Sequence, residues 1–266
     1  MREYDFAIKL VKEAGTRLLE ARAGALKVMH KGGDERDVVT SADIAINQFL
    51  IGEIRSTFPK HRISSEEGGE GAEAGEEEWL LDPVDGSANF SRGIPHFAVS
   101  IALLRAETCI VAAIYNPVTN ELFSFEKGRA AFFNDKLLAV SHITEPSKAQ
   151  GILVVGHQAS LWDWGAKVYR EFLEHFKKLK ALGSSSLDLC FVAAGRADVV
   201  VYGTFTARDS AGAVAIVRAA GGEIYSLQTG KPLDLISEKQ TIVAVSNATL
   251  FERIKPYLHT ELLPKR

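Results

Sequence analysis

The segment Trp79-Leu80-Leu81-Asp82-Pro83-Val84-Asp85-Gly86-Ser87 decides the fold prediction. Its apolar start predicts a buried strand ending at Asp82, and the Asp-Pro pair predicts a type I turn that brings both carboxylates to one side. Two anions about 5 Å apart repel by several kcal/mol even at an effective dielectric constant near 20, so a hard cation between them would be stabilising. Mg²⁺ prefers carboxylate, carbonyl and water oxygens, and the Val84 carbonyl lies between the two acids.

Gly86 and Ser87 directly follow the two acids. Glycine lets the backbone approach a ligand closely, and free N–H groups at a turn or helix start bind anions. Cation ligands beside amide donors are what a phosphate ester bound between metal and protein requires. The alternative is an ordinary surface Asp-Pro turn, and the segment alone does not decide between the two.

Outside this segment, the patterns predict an α+β first half and an α/β second half. A helix is predicted over 3–24, and Thr40-Ser41-Ala42-Asp43 has the spacing of a capping box that opens a second helix, closed before Pro59. Apolar runs over 97–133 predict an antiparallel meander. From about residue 150, strands alternate with helices, one of them predicted over 164–179 with Lys177 and Lys178 at its end.

A boundary is predicted near residue 145. Residues 1–145 would form an N-terminal α+β subdomain that carries most metal ligands. Residues 146–266 would form a C-terminal α/β subdomain that closes the substrate cleft, since small-molecule sites are common between such halves.

Composition narrows the class of protein. The 266 residues carry a formal net charge of −3, which does not favour nucleic acid as a partner. The charged start, Met1-Arg2-Glu3-Tyr4-Asp5, is unlike a signal peptide, and no apolar run approaches the roughly 20 residues of a membrane span. Cys109 and Cys190 stand in apolar surroundings and are predicted to be buried free thiols. We therefore expect a cytoplasmic protein with no membrane partner.

Further acids occur at three places along the chain. Glu66-Glu67 ends a short predicted strand, Asp209 precedes a small-residue helix, and Asp43 is the third helical residue of the capping box. Each also has an ordinary interpretation: the start of a solvated acidic loop, or the cap of a helix. The residues alone leave these alternatives open.

In this order, the motifs resemble the inositol monophosphatase family of Mg²⁺-dependent, lithium-sensitive sugar phosphatases. The resemblance covers about residues 40–225. It rests on Thr40-x-x-Asp43, Ser65-Glu66-Glu67, the run from Trp79 to Phe90, the run from Arg92 to Leu103, the run from Gly183 to Cys190, Asp209-x-Ala-Gly, and Glu223 after a Gly pair. It implies a layered α/β/α/β/α sandwich, a homodimer, a small phosphorylated substrate and two or three Mg²⁺ ions per site.

The resemblance also implies roles for individual residues. The metal ligands would be Glu67 (or, one residue earlier, Glu66), Asp82, the Val84 carbonyl, Asp85 and Asp209. Glu67 and the Ser87 hydroxyl would activate a metal-bound water, with Asp43 orienting Ser87. The contacts to phosphate or substrate would come from Gly86, Ser87, Gly183, Ser184, Ser185, Tyr202, Arg208 and Lys31.

Three positions depart from the family pattern. Ser87 replaces the usual Thr and keeps the hydroxyl. Arg208 replaces a Trp beside Asp209, and Tyr202 replaces an acid that contacts sugar hydroxyls in inositol phosphatases. These changes leave the substrate open. Fructose-1,6-bisphosphatase is the main alternative, because Arg208 could serve a second phosphate. A 3′-phosphoadenosine phosphatase, a histidinol-phosphatase and a non-catalytic regulatory protein are further alternatives.

Overall fold

The computed structural model describes residues 2–24, 26–30, 35, 38–68, 75–207, 210–235 and 239–264. Both predicted N-terminal helices are confirmed, as α1 (Glu3–Ala23) and α2 (Ser41–Thr57). The capping box is confirmed as well, since Thr40 and Asp43 each accept from the other's backbone N–H. The hairpin of β1 (Val28–His30) and β2 (Val38–Thr40), which precedes α2, was not predicted.

The larger sheet has seven strands in chain order and contains the predicted meander. Its strands are β3 (Arg62–Ser65), β4 (Glu77–Asp85), β5 (Ala98–Arg105), β6 (Thr108–Asn116), β7 (Glu121–Glu126), β8 (Ala131–Phe133) and β9 (Lys136–Leu137). β3 pairs with β4 in parallel, and the other neighbours are antiparallel. A short helix, α3 (Ser87–Arg92), leaves the end of β4.

The second sheet has five strands in the order β11-β10-β12-β14-β13. The strands are β10 (Gln150–Val154), β11 (Lys178–Lys180), β12 (Val199–Thr206), β13 (Glu223–Ser226) and β14 (Lys239–Val245). The helices of this half are α4 (Trp162–His175), α5 (Ser185–Ala193), α6 (Ala211–Ala219) and α7 (Ala248–Ile254). No helix among the described residues is long and apolar enough to cross a bilayer.

The predicted C-terminal end of the helix over 164–179 is wrong. The helix stops at His175, and Lys178–Lys180 form the edge strand β11, which pairs in parallel with β10. Both lysines of this strand are exposed. Lysines on an edge strand disfavour pairing with a strand of another molecule. These two lysines therefore protect the sheet edge and do not interact with a helix dipole.

Five layers confirm the predicted α/β/α/β/α sandwich. Alternate residues of β5 face opposite ways: Val99 and Ile101 pack with α1 and α2, whereas Ala98 and Ala102 pack with α5 and α6. The second sheet covers the other side of α5 and α6, and α4 and α7 form the outermost layer. One core cluster thus joins residues from both predicted halves, and the division at residue 145 stays a prediction.

The two cysteines are free and buried, as predicted. Burial raises the pKa of the Cys109 thiol to about 12 and that of Cys190 well above its ordinary value. Both are therefore packing residues rather than nucleophiles.

Candidate active site

Asp82 and Asp85 lie in β4 itself, and the predicted type I turn is wrong. Asp82 pairs with Ser100 and Asp85 with Ala98, so three steps along β4 match two along β5. This is a β-bulge, and the extra residue turns the second acid back to the face of the first. The pairing with β5 continues through the bulge, which is why no turn forms between the acids.

Asp82 and Asp85 line a cleft of about 270 Å³ between the sheets. Its described lining residues are Val38, Glu66, Asp82, Val84, Asp85, Gly86, Ser87, Ala88, Ser185, Thr204, Phe205, Thr206 and Ser210. Three of them are carboxylates and none is Lys, Arg or His. A bound cation would offset the repulsion between these carboxylates, and an all-oxygen donor set suits Mg²⁺.

Of the two adjacent glutamates, Glu66 lines this cleft and Glu67 does not. The Glu66 N–H donates to the Leu81 carbonyl at 3.1 Å and extends the β3–β4 pairing to the level of Asp82. Glu67 faces a separate depression beside Asn47 and Arg55. The geometry therefore favours the alternate register, with Glu66 rather than Glu67 as the candidate ligand.

Ser87 and Asp43 contact each other across the start of two helices. Ser87 Oγ lies 2.6 Å from Asp43 Oδ1 and 2.8 Å from the Val84 carbonyl oxygen. The Asp43 carboxylate also accepts from the Thr40 N–H at 2.9 Å. Burial raises the pKa of Asp43, although the hydrogen bonds from Ser87 and Thr40 oppose the shift. The predicted pairing of Asp43 with Ser87 is present.

Asp85 is held by the N-terminus of α5. Its carboxylate accepts from Ser184 Oγ at 2.5 Å, from the Ser186 N–H at 2.8 Å and from the Ser185 N–H at 3.0 Å. Burial raises the pKa of Asp85 despite these donors. The N–H groups at the start of α5 have no partner within the helix, and they hold the Asp85 carboxylate of β4.

Gly86 must be glycine for two reasons. Its φ is +95°, and a Cβ atom there would lie 3.0 Å from the His96 carbonyl oxygen. It is the N-cap residue of α3, which begins at Ser87. N–H groups in the first turn of a helix have no partner within it, so this turn offers donors to an anion in the cleft.

The predicted substrate contacts are only partly brought together. Ser185 lines the cleft, whereas Ser184 is fully buried against Asp85. Gly183 and Tyr202 are not among the lining residues, and the Tyr202 hydroxyl donates to Asp188 Oδ2 at 2.6 Å. Tyr202 is buried in β12 and its ring packs in the core, so its role as a substrate contact stays a prediction.

Three predicted residues, Lys31, Arg208 and Asp209, lie outside the described residues. Two residues near Asp209 in the sequence, Thr206 and Ser210, line the cleft. Ser210 Oγ is 2.9 Å from Ser185 Oγ. The ligand role of Asp209 stays a prediction.

Sequence reasoning missed the residues behind Asp85. Asp188 is fully buried, and its Oδ1 lies 2.8 Å from His96 Nε2, so His96 is a hydrogen-bonded partner of this acid. The run Gly183-Ser184-Ser185-Ser186 is a typical helix start, and this signal pointed to α5 but not to the acid that it binds.

One other group of possible metal ligands occurs in the described residues: Glu171, Glu174 and His175, whose ligand atoms lie within 4.8 Å of one another. In this group, Glu171 contacts His175 at 3.4 Å and His259 at 3.1 Å, and Glu174 pairs with Arg170 at 3.0 Å. The ligand atoms of Glu66, Asp82 and Asp85 do not all lie within 4.8 Å of one another.

Comparison with known proteins gives one consistent family. Residues 2–263 match the profile of the inositol monophosphatase family. The chain is 31% identical to inositol monophosphatase 1 of Bos taurus, over 94% of this chain and 91% of that protein. It is also 31% identical to a fructose-1,6-bisphosphatase/inositol-1-monophosphatase of Thermotoga maritima, over 90% of each. The crystal structure of the extragenic suppressor protein suhB from Bartonella henselae superposes with a TM-score of 0.88 at 29% identity, covering 96% of this chain and 97% of that one.

Proposed function

The chain belongs to the inositol monophosphatase family, which makes it a phosphoric monoester hydrolase, and we propose that it uses Mg²⁺ to hydrolyse inositol monophosphate or a related sugar phosphate. The observation that carries this proposal is the position of Glu66, Asp82 and Asp85 beside the start of α3 in one cleft. Carboxylates for a cation and N–H groups for an anion then face the same small space.

Asp82, Asp85, Glu66 and the Val84 carbonyl would hold the metal, with Asp209 as a further predicted ligand. When bound, Mg²⁺ lowers the pKa of a coordinated water and offsets the charge of the phosphate. The donors on Asp85, which lines the cleft, keep that carboxylate in one orientation.

Ser87 orients the attacking water in this proposal. Its hydroxyl has one proton, and donation to Asp43 at 2.6 Å leaves the oxygen lone pairs to accept a hydrogen bond from water. The water proton would pass to the Glu66 carboxylate, or to Ser87 Oγ as the Ser87 proton moves to the Asp43 carboxylate. The N–H groups at Gly86 and Ser87 would bind phosphate oxygens and stabilise charge as it develops.

A second candidate substrate is fructose 1,6-bisphosphate. It is favoured by the double activity in the name of the Thermotoga maritima relative. The cleft offers no carboxylate on β12 among its described lining residues, so nothing described there repels a second phosphate. A homodimer remains part of the proposal on family resemblance alone, and a cytoplasmic location on the sequence patterns given above.

Phosphate release from a panel of esters tests the substrate. The panel contains inositol monophosphate, fructose 1,6-bisphosphate, a 3′-phosphoadenosine nucleotide and histidinol phosphate, each with Mg²⁺. We expect the highest kcat/KM on one of the first two. Cleavage of the nucleotide alone, or of histidinol phosphate alone, would contradict a sugar-phosphate function.

A further inference from the structure

A buried polar cluster lies behind Asp85, on the side away from the cleft. It consists of His96, Asp188 and Tyr202, and none of these is among the residues that line the cleft. Asp188 is the centre: its Oδ2 accepts from the Tyr202 hydroxyl at 2.6 Å and from the Gly183 N–H at 3.3 Å, and its Oδ1 lies 2.8 Å from His96 Nε2. A fully buried carboxylate therefore joins three separate segments of chain.

The contact with Gly183 reaches the candidate metal site through the backbone. Gly183 has φ +86°, a left-handed conformation that the bond to Asp188 helps to hold. The next three residues, Ser184 to Ser186, supply every hydrogen-bond donor described above for Asp85. A shift of this turn would move those donors together.

The contact with His96 ties the same turn to α3. The His96 carbonyl accepts from Asn89 Nδ2 at 2.9 Å, and the same amide donates to the Leu182 carbonyl at 2.8 Å. A Cβ on Gly86 would lie 3.0 Å from the His96 oxygen and 3.4 Å from the Gly183 oxygen, so these backbones are closely packed. The turn at Gly86 and the start of α5 are thus joined by hydrogen bonds and close backbone contacts.

We propose that His96, Asp188 and Tyr202 are positioning residues, which set the geometry of Asp85 for metal binding without touching the substrate. This rests on the proposed function, since it takes Asp85 as a metal ligand. Residues outside the ligand set that orient metal ligands commonly change affinity or activity by about 10- to 100-fold when altered.

Tyr202 is the distinctive member of this cluster. The sequence places it where the resembling family has an acid that contacts sugar hydroxyls, yet its hydroxyl is directed to Asp188. Burial and the charges of Asp188 and Asp85 raise its pKa well above the ordinary value, so it remains a donor at all working pH values. Its proposed effect is on the metal site and is equal for every substrate.

The test replaces Tyr202 with Phe, which removes one hydroxyl and keeps the ring. We expect Mg²⁺ or Mn²⁺ affinity, measured by titration calorimetry, to fall by about 10-fold. We expect kcat at limiting Mg²⁺ to fall by the same factor for each ester, and the order of substrates to be unchanged. The matched control is Tyr225→Phe, which removes a hydroxyl that donates to Glu223 at 2.5 Å on β13 and should leave metal affinity and activity as in the wild type.

A second pair of variants keeps the test decisive if Tyr202→Phe does not fold. His96 is partly exposed, and Gln can still donate to Asp188 whereas Ala cannot. We expect His96→Ala to weaken metal binding and His96→Gln to restore most of it.

Two results would overturn the proposal. One is metal affinity in Tyr202→Phe, or in His96→Ala, equal to that of the wild type. The other is a Tyr202→Phe effect that differs between substrates, which would make Tyr202 a substrate contact. Calorimetry needs no turnover, so a wild type that binds metal but cleaves no ester would overturn the proposed function and leave this comparison interpretable. A wild type that bound no divalent ion would overturn both.

Discussion

The two walls of the cleft differ in how firmly hydrogen bonds hold them. The metal wall is formed by Asp82, Asp85, Ser87 and Ser185. It is fixed by the Asp43 carboxylate of α2, which accepts from Ser87, by donors from α5 to Asp85 and by the β-bulge in β4. The β12 wall consists of Thr204, Phe205 and Thr206 of β12 and of Ser210, which precedes α6. Ser210 Oγ contacts Ser185 Oγ, whereas Thr204 Oγ1 is buried with no partner among the described residues. In the proposed function, the metal wall carries the reaction chemistry and the β12 wall contributes to substrate choice.

The largest effect is expected for Asp85→Asn. Loss of one carboxylate from the metal wall removes several kcal/mol of charge stabilisation, so kcat/KM should fall on the order of 10³-fold. Phosphate release with saturating Mg²⁺ measures it, and circular dichroism checks that the fold is retained. Turnover within a factor of a few of the wild type would mean that this wall does not hold the metal.

Ser87 comes next. Ser87→Ala removes the hydroxyl proposed to orient the water, and kcat should fall by about 10²-fold, the lower range for loss of an acid–base group. The matched variant Ser87→Thr keeps the hydroxyl next to Asp43 and should retain most activity. If the two variants behaved alike, the methyl or the packing would matter rather than the hydroxyl.

The glutamate pair offers an internal control. Glu66→Gln should weaken Mg²⁺ binding by about 10-fold, because it removes a charge from the cleft. Glu67→Gln makes the same chemical change one residue away, beside Arg55, and should change Mg²⁺ affinity little. Calorimetric titration of both variants decides between the registers; a larger loss for Glu67→Gln would restore the original prediction.

The smallest effect is expected on the β12 wall. Thr204→Val removes a buried hydroxyl that has no partner among the described residues and keeps the shape of the side chain. The free energy of unfolding should rise by about 1 kcal/mol, since the desolvation penalty of an unpaired group is removed. Thermal unfolding measures this, and destabilisation would show that the hydroxyl has a partner.

The sequence predicted most of the metal wall because its signals are local. The strand before Asp82, the capping box at Thr40 and the glycine at position 86 each follow from nearby residues, and the structure agrees on all three. Features that depend on long-range contacts were harder to predict from the sequence. The bulge that aligns Asp82 with Asp85 depends on pairing with β5, and the donors on Asp85 come from about 100 residues later in the chain.

The β12 wall was less predictable for the same reason. Whether Tyr202 faces the cleft or the core depends on its partner Asp188 and on the register shift in β12 between Tyr202 and Phe205. Neither leaves a local signal in the sequence. The Lys178–Lys180 edge strand was likewise mistaken for a helix end, because a three-residue strand is defined by its neighbour β10 and not by its own pattern.

The most direct test of the central claim is phosphate release from inositol monophosphate, or from the best ester of the panel, as a function of free Mg²⁺ after treatment with a chelator. We predict no release above background without the metal and full recovery when Mg²⁺ is added back. Release at the untreated rate in excess chelator would contradict a metal-dependent site at Asp82 and Asp85.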